Sequence, residues 1–252
     1  MNEHWIRPDW PAPPNVGSLI TTRAGGVSRG PYGARPNLGG GMNIGLSCGD
    51  AFADVVANRT LLRALLPAEP RWLNQVHGAA VVDAAEVSPD CAADASFTDA
   101  PSVVCAVAIA DCMPVLLADS SGRCVGIAHA GWRGLAAGVI QAAARAIRER
   151  LGDDHAELLA YLGPAIGPRH FEVGAEVLYA MQVQLPDASN AFVADADKYR
   201  ADLFALGRQA LRQVGVDRIY GGHDCTFSDA TRFYSFRRQR PTGRHAALIW
   251  RV

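Results

Sequence analysis

Cys112 and His129 are the first residues whose types and placement suggest chemistry. They flank a predicted β-hairpin, in which the apolar runs 115–118 and 124–128 lie on either side of Ser120, Ser121 and Gly122. An antiparallel ladder centred on that turn sets Cys112 opposite His129 at the open end, with Asp111 and Ala130 beside them. A thiol and an imidazole on neighbouring strands can share a metal ion such as zinc. Asp111 could then orient a ligand or a water. A third ligand is needed. His77, in Leu73-Asn-Gln-Val-His-Gly78, is a candidate together with its neighbour Gln75, but spacing alone does not bring it to the hairpin. His4, His155, His170, His223 and His245 are scattered without ligand spacing. Three protein ligands would leave a fourth position open, the catalytic form of zinc, in which bound water has a pKa of about 7. The zinc deaminase signature, His-x-Glu with Pro-Cys-x-x-Cys, is absent. Without a metal, Cys112 beside His129 could instead be a thiol nucleophile.

A second feature adjoins the first. His129-Ala-Gly-Trp-Arg-Gly134 runs directly into a helical pattern. A glycine-rich turn at a helix N-terminus offers free N–H groups and the positive end of the dipole, and Arg133 adds a fork of donors suited to phosphate. The same residues also fit a plain turn with Arg133 paired to a carboxylate. Near the C-terminus, Phe233-Tyr-Ser-Phe-Arg-Arg238 and Thr242-Gly-Arg244 interleave aromatics with arginines. They could stack a base and hold phosphate or ribose, or form a surface strand with solvated arginines. Thr21-Thr-Arg23 gives a weaker signal of the same kind.

These residues need a scaffold. A short helix is predicted from Phe52 to Leu66, closed by Pro67. Val103 to Ile109 has the length of a buried strand, and Trp72 lies in a short one. Leu135, Val139, Ala143, Ile147 and Leu151 recur at i+4, predicting one helix that ends at Gly152. Strands are expected at 158–162, 216–220 and 246–251, and helices at 173–182 and 201–214. Strands and helices mix without strict βαβ alternation, so the fold class is α+β with mixed sheets rather than a dinucleotide-binding fold. Gly39-Gly40-Gly41 fits neither the dinucleotide fingerprint nor the phosphate-binding loop and reads as a surface loop.

Composition bounds what such a scaffold can be. The 252 residues are 49% hydrophobic, ample for one large core, and no repeats interrupt them. We expect one catalytic domain over residues 1–252. Twenty-four basic residues balance 25 acidic ones without a basic run, which argues against a nucleic-acid or anionic-membrane surface. No apolar run reaches membrane-span length, and the N-terminus lacks the apolar region of a secretory signal. The six cysteines do not form the disulfide framework of a short secreted chain. Cys105 and Cys124 sit in apolar runs as buried small hydrophobes, and reduced thiols in a cytoplasmic protein are expected.

The motifs together resemble one family. They are Thr21-Thr-Arg-Ala-Gly-Gly-Val-Ser28, Asn43-Ile-Gly-Leu46 with Gly49-Asp50, Asn58-Arg59, Leu73-Asn-Gln-Val-His-Gly78, Ala93-Asp-Ala95, Ala110-Asp-Cys-Met-Pro114, His129-Ala-Gly-Trp-Arg-Gly134, Gly163-Pro-Ala-Ile-Gly167, Phe171-Glu-Val-Gly174 and Cys225-Thr226, with the C-terminal aromatic and arginine segment. The sequence resembles the YfiH-like, or laccase-domain, family from about residue 18 to the end. The resemblance implies a layered α/β/β/α sandwich and metal ligands at His77, Cys112 and His129. It also implies phosphorolysis of adenosine, inosine and methylthioadenosine, with adenosine deamination. Two departures stand out: Gly33 to Met42 reads as an extra glycine-rich loop, and Phe236 stands where Tyr is frequent.

On this basis Asp111, Cys112 and Arg133 are the expected catalytic residues. Arg23, Asn43, Gln75, Arg133, Gly163, Arg237 and Arg238 are the expected substrate contacts. The cofactor is zinc, or copper, and the partners are a purine nucleoside and phosphate, in a monomer or weak homo-oligomer. One alternative is a copper-dependent polyphenol oxidase, since a thiol with two imidazoles also suits copper. Seven histidines without paired His-x-His spacing are too few for a multicopper centre. Another is a hydrolase that edits peptidoglycan precursors.

Overall fold

The computed structural model describes residues 4–34, 38–88 and 90–252. Part of the glycine-rich loop expected from Gly33 to Met42, residues 35–37, lies outside the described residues.

Alternation of buried side chains builds two sheets face to face. In one, the strands run in the order Val16–Ile20, His245–Arg251, Val104–Ile109, Pro70–Arg71. In the other, the order is Arg218–Gly221, Leu158–Leu162, Met113–Asp119, Val125–Ala130, Ala95–Thr98, Val81–Asp83. Cys105, Val107 and Ile109 point to the space between the sheets, where they meet Leu116, Ala118 and Ile127 of the second sheet. Their neighbours Val104 and Ala106 point outward, onto a layer containing Leu62 of the helix Phe52–Arg63. In the second sheet the outward residues Met113, Val115 and Leu117 pack against the helices Val139–Leu151, Ala175–Gln184 and Leu203–Gln213. The result is an α+β fold in four layers, helix, sheet, sheet, helix. The sheets combine parallel and antiparallel pairs, as in Leu158–Leu162 against its two neighbours.

The hairpin is present, with a different register. His129 faces Pro114 and Met113 faces Ala130, so Cys112 lies two residues away from the partner position expected for it. The turn explains the shift. It uses the four residues Ser120 to Arg123, with Asp119 N donating to Cys124 O at 2.9 Å and Gly122 at φ 71°. A two-residue shift keeps side chains on the same face, so the thiol and the imidazole still converge.

The long helix expected across 135–151 is broken. Trp132–Ala136 forms one short helix, Gly138 takes φ 82°, and Val139–Leu151 starts afresh. A left-handed residue cannot continue a right-handed helix, and glycine adopts it without a Cβ penalty. The helix expected at 173–182 begins later, because Glu172–Val173 pairs as a strand with Tyr199 and Arg200. The aromatic segment 233–238 is not a strand; it forms turns whose Phe233, Tyr234 and Ser235 are buried. Cys105 and Cys124 are fully buried, and burial pushes both thiols up to about 12. Among the described residues no helix is long and apolar enough to cross a membrane.

Leu116 is fully buried between the two sheets. Leu116→Ala should lower the unfolding free energy by about 2–5 kcal/mol, read as a shift in denaturant midpoint at constant slope. A loss below half that range would show that the sheets are not tightly packed there.

Candidate metal centre

Three side chains converge at the end of the hairpin. One donor atom from each of His77, Cys112 and His129 lies within 4.8 Å of the others. His129 is buried, Cys112 is half-buried and His77 is exposed, so the cluster opens on the His77 side. The two imidazoles meet edge to face with centroids 4.9 Å apart.

The residue that organises the cluster is Asp94, which sequence reasoning quoted in a motif but gave no role. It ends the loop before the strand Ala95–Thr98 and is fully buried. Its Oδ1 accepts from His129 Nδ1 at 2.8 Å and from the His77 N–H at 3.0 Å. Its Oδ2 accepts the N–H groups of Val76 at 3.1 Å and Gly78 at 2.7 Å. Burial pushes the carboxyl up, but the hydrogen bond from His129 and the backbone donors outweigh it, and Asp94 stays below its usual value. Holding the proton on Nδ1 leaves Nε2 of His129 as the lone-pair atom for an ion. The three backbone bonds also hold His77 at φ 61°, a conformation that costs a non-glycine residue about 1–3 kcal/mol.

Cys112 is set from the other side. Asp111 precedes it at φ 91° and is held by three contacts: Thr226 Oγ1 donates to Oδ1 at 2.6 Å, the Arg237 N–H to Oδ2 at 2.7 Å, and the Ile166 N–H to its carbonyl at 3.0 Å. Gly131 supplies the space. A Cβ there would sit 2.7 Å from Cys112 Sγ and 3.4 Å from the His77 ring. Burial alone would raise the Cys112 thiol. The charge of His129 and the hydrogen bonds from His129 and His77 more than offset this and bring it down to about 6. For His129, burial works against the charged form, but Cys112 and Asp94 prevail and lift it to about 9. Two imidazoles and a thiol poised to ionise fit a zinc- or copper-type ion, with no fourth side chain in the group.

The cluster lies in a cleft of about 1020 Å³, also lined by Trp72, Phe236 and the arginines Arg59, Arg71 and Arg244. The expected substrate residues are mostly elsewhere. Gln75 lines the cleft, but its amide is paired to both backbone groups of Ala108, at 2.8 and 2.9 Å. Arg133 is exposed, outside the cleft, and stacks on Trp132 at 4.2 Å, without a carboxylate partner among the described residues. Asp111 is spent on Thr226 and Arg237 rather than joining the donor cluster. Arg23 donates to the carbonyls of Gly33 and Pro31. Asn43 is buried and bonds Asp50, Gly45 and Arg244. Gly163 is buried, where a Cβ would meet Pro114 at 2.6 Å. Arg237 donates to Glu172 O and Arg238 to the carbonyls of Thr226, Phe227 and Phe233. An arginine fork suits carbonyl groups as well as phosphate, and sequence does not distinguish the two uses. Arg244 appeared in the aromatic and arginine segment and Arg59 in the motif Asn58-Arg59, while Arg71 and Trp72 carried no chemical pattern.

With the metal removed, the thiolate absorbance of Cys112 should vanish as pH falls through about 6, and Cys112→Ser should abolish it; a transition near 9 would show an ordinary thiol. Asp94→Asn keeps the shape but loses the carboxylate, and metal affinity measured by competition should fall about 10–100-fold with the fold retained. Unchanged affinity would show that Asp94 does not orient the ligands.

A family model described as multi-copper polyphenol oxidoreductase laccase matches residues 17–252. The chain is 46% identical to a purine nucleoside phosphorylase of Pseudomonas aeruginosa, over 98% of this chain and 98% of that one. It is 45% identical to the purine nucleoside phosphorylase YfiH of Escherichia coli, over 98% of each. The crystal structure of a Neisseria meningitidis protein superposes with a TM-score of 0.89 at 43% identity, covering 99% of each chain. That of YlmD from Geobacillus stearothermophilus does so with 0.86 at 31%, covering 98% of this chain and 96% of that one. With close sequence relatives and the same four-layer architecture along nearly its whole length, the chain belongs to the YfiH-like family.

Proposed function

We propose that the protein is a metal-dependent purine nucleoside enzyme that splits adenosine, inosine and methylthioadenosine with phosphate and also deaminates adenosine. The observation that carries this reading is the His77, Cys112 and His129 cluster inside a cleft that combines aromatic and cationic walls. Relatives at 45–46% identity carry the name purine nucleoside phosphorylase.

His77, Cys112 and His129 would hold the ion, which supplies a Lewis acid with an open coordination position. Asp94 keeps the His129 proton on Nδ1 and fixes the His129 ring and the His77 backbone. The nucleoside enters the cleft beside Trp72 and Phe236. Arg59 lies 4.6 Å from the Trp72 ring and covers one face, leaving the indole as a wall of fixed orientation. Phosphate fits against Arg59, Arg71 and Arg244, the cations of the cleft, rather than against Arg133. Phosphorolysis breaks the bond from ribose C1′ to the base and forms one from C1′ to a phosphate oxygen. The departing purine takes the electron pair and a proton. The described residues contain a single cluster of three such donors, which suits one ion rather than a multicopper centre. Copper-dependent phenol oxidation is therefore a secondary reading, favoured only by the soft donor set.

Purified protein given adenosine and phosphate should yield adenine and ribose 1-phosphate, and without phosphate should yield inosine and ammonia. Arg244→Ala should raise the phosphate KM more than it lowers kcat. If neither adenine nor inosine forms with the metal-loaded enzyme, the nucleoside reading fails; phenol turnover under the same conditions would favour the oxidase.

A further inference from the structure

Among the described residues, the carboxylates and amides that line the cleft are Glu69, Asn74, Gln75 and Asp90. Two of them are committed. The Gln75 amide is paired to Ala108, and the Glu69 carboxylate lies 3.8 Å from Arg63. Asn74 and Asp90 are exposed to the cleft, and neither side chain has a hydrogen-bond or ion-pair partner among the described residues.

The backbone brings these two residues together. The Asn74 N–H donates to Cys91 O at 3.0 Å, and the Ala93 N–H donates to Asn74 O at 3.3 Å. Asn74 thereby forms a parallel bridge with Ala92, and Asp90 is held one residue before the carbonyl that Asn74 binds. Both sides of the bridge continue into the donor cluster. His77 follows Asn74 by three residues, and Asp94, which holds His77 and His129, follows Asp90 by four. Four residues of chain span at most about 14 Å, so Asp90 stays close to the carboxylate that sets the ligands.

An ionised carboxylate accepts and does not donate, so Asp90 suits O–H or N–H groups and repels phosphate. The amide beside it can both donate and accept. Adenosine, inosine and methylthioadenosine differ at the purine 6-position and at the 5′ carbon. The donor pair common to all three is the vicinal 2′,3′-diol of the ribose. A carboxylate spent on the 6-amino group would reject inosine, which carries an oxygen there. Two carboxylate oxygens facing two neighbouring hydroxyls serve every one of these substrates through charge-assisted hydrogen bonds. We propose that Asp90, with Asn74, is the ribose subsite of the cleft, binding the 2′,3′-diol and selecting ribonucleosides over deoxyribonucleosides. The subsite rests on the nucleoside reading of the cleft.

The metal-loaded full chain is titrated calorimetrically with inosine, 2′-deoxyinosine and 3′-deoxyinosine in phosphate-free buffer. Inosine has no 6-amino group to lose and no phosphate to react with, so binding is read without turnover. Removing either hydroxyl should weaken binding roughly 10-fold or more. Asp90→Ala should weaken inosine by a similar factor and the deoxy compounds far less, so that their ratio falls towards one. Asn74→Ala, which keeps the backbone bonds of the bridge, should narrow the ratio in the same direction. Equal affinities for the three compounds on the unmodified chain would overturn the subsite alone, as would an unchanged ratio in both variants. If inosine does not bind and adenosine with phosphate gives no product, the nucleoside reading fails and the subsite with it.

Discussion

One carboxylate holds the candidate metal centre together. Asp94 places two oxygens against four donors, three from the backbone of Val76, His77 and Gly78 and one from the His129 ring. It touches the His129 ring and the His77 backbone at once. Its burial makes the arrangement all-or-none, because a carboxylate removed from water is tolerated only when its lone pairs are satisfied. The loop bearing His77 is thereby fastened to the sheet bearing His129, and the thiol at the end of the hairpin meets both residues there. Cys112 depends on a parallel device. Asp111 is anchored by Thr226, Arg237 and Ile166, so the C-terminal turns and the Gly163 to Gly167 segment fix the thiol through the backbone.

The scaffold was largely legible in the sequence. Short continuous apolar runs such as 104–109 and 158–162 mark strands buried on both faces, and that pattern survives any change of loop. The convergence of Cys112 and His129 was also legible, for a reason that tolerated an error. The expected register was off by an even number of residues, and parity alone decides which face a strand residue occupies. Gly138 was less visible, because the apolar i+4 series runs straight across it and periodicity carries no information about one residue's φ.

Polar roles were harder to read, and the physical cause is specific. An arginine or an aspartate is defined by its partner, which is distant in sequence. Asp94 lies 35 residues before His129, and Asp111 lies 115 residues before Thr226. Arg237 and Arg238 have the composition of phosphate ligands but serve carbonyl groups left unpaired by the turns around them. The arginines that face the cleft come from three separate segments, at Arg59, Arg71 and Arg244, and their spacing does not show that they share one wall.

Of the four described non-glycine residues with positive φ, two, His77 and Asp111, sit at or beside the candidate metal ligands. Each is held in a conformation that its own backbone disfavours. Substituting glycine at Asp111 would relax that strain but discard the anchors on Thr226 and Arg237, and glycine at His77 would discard a ligand. Random drift toward greater stability therefore meets an obstacle at these two positions. The protein can become more robust almost anywhere else, but at this centre robustness and competence draw on the same backbone torsions.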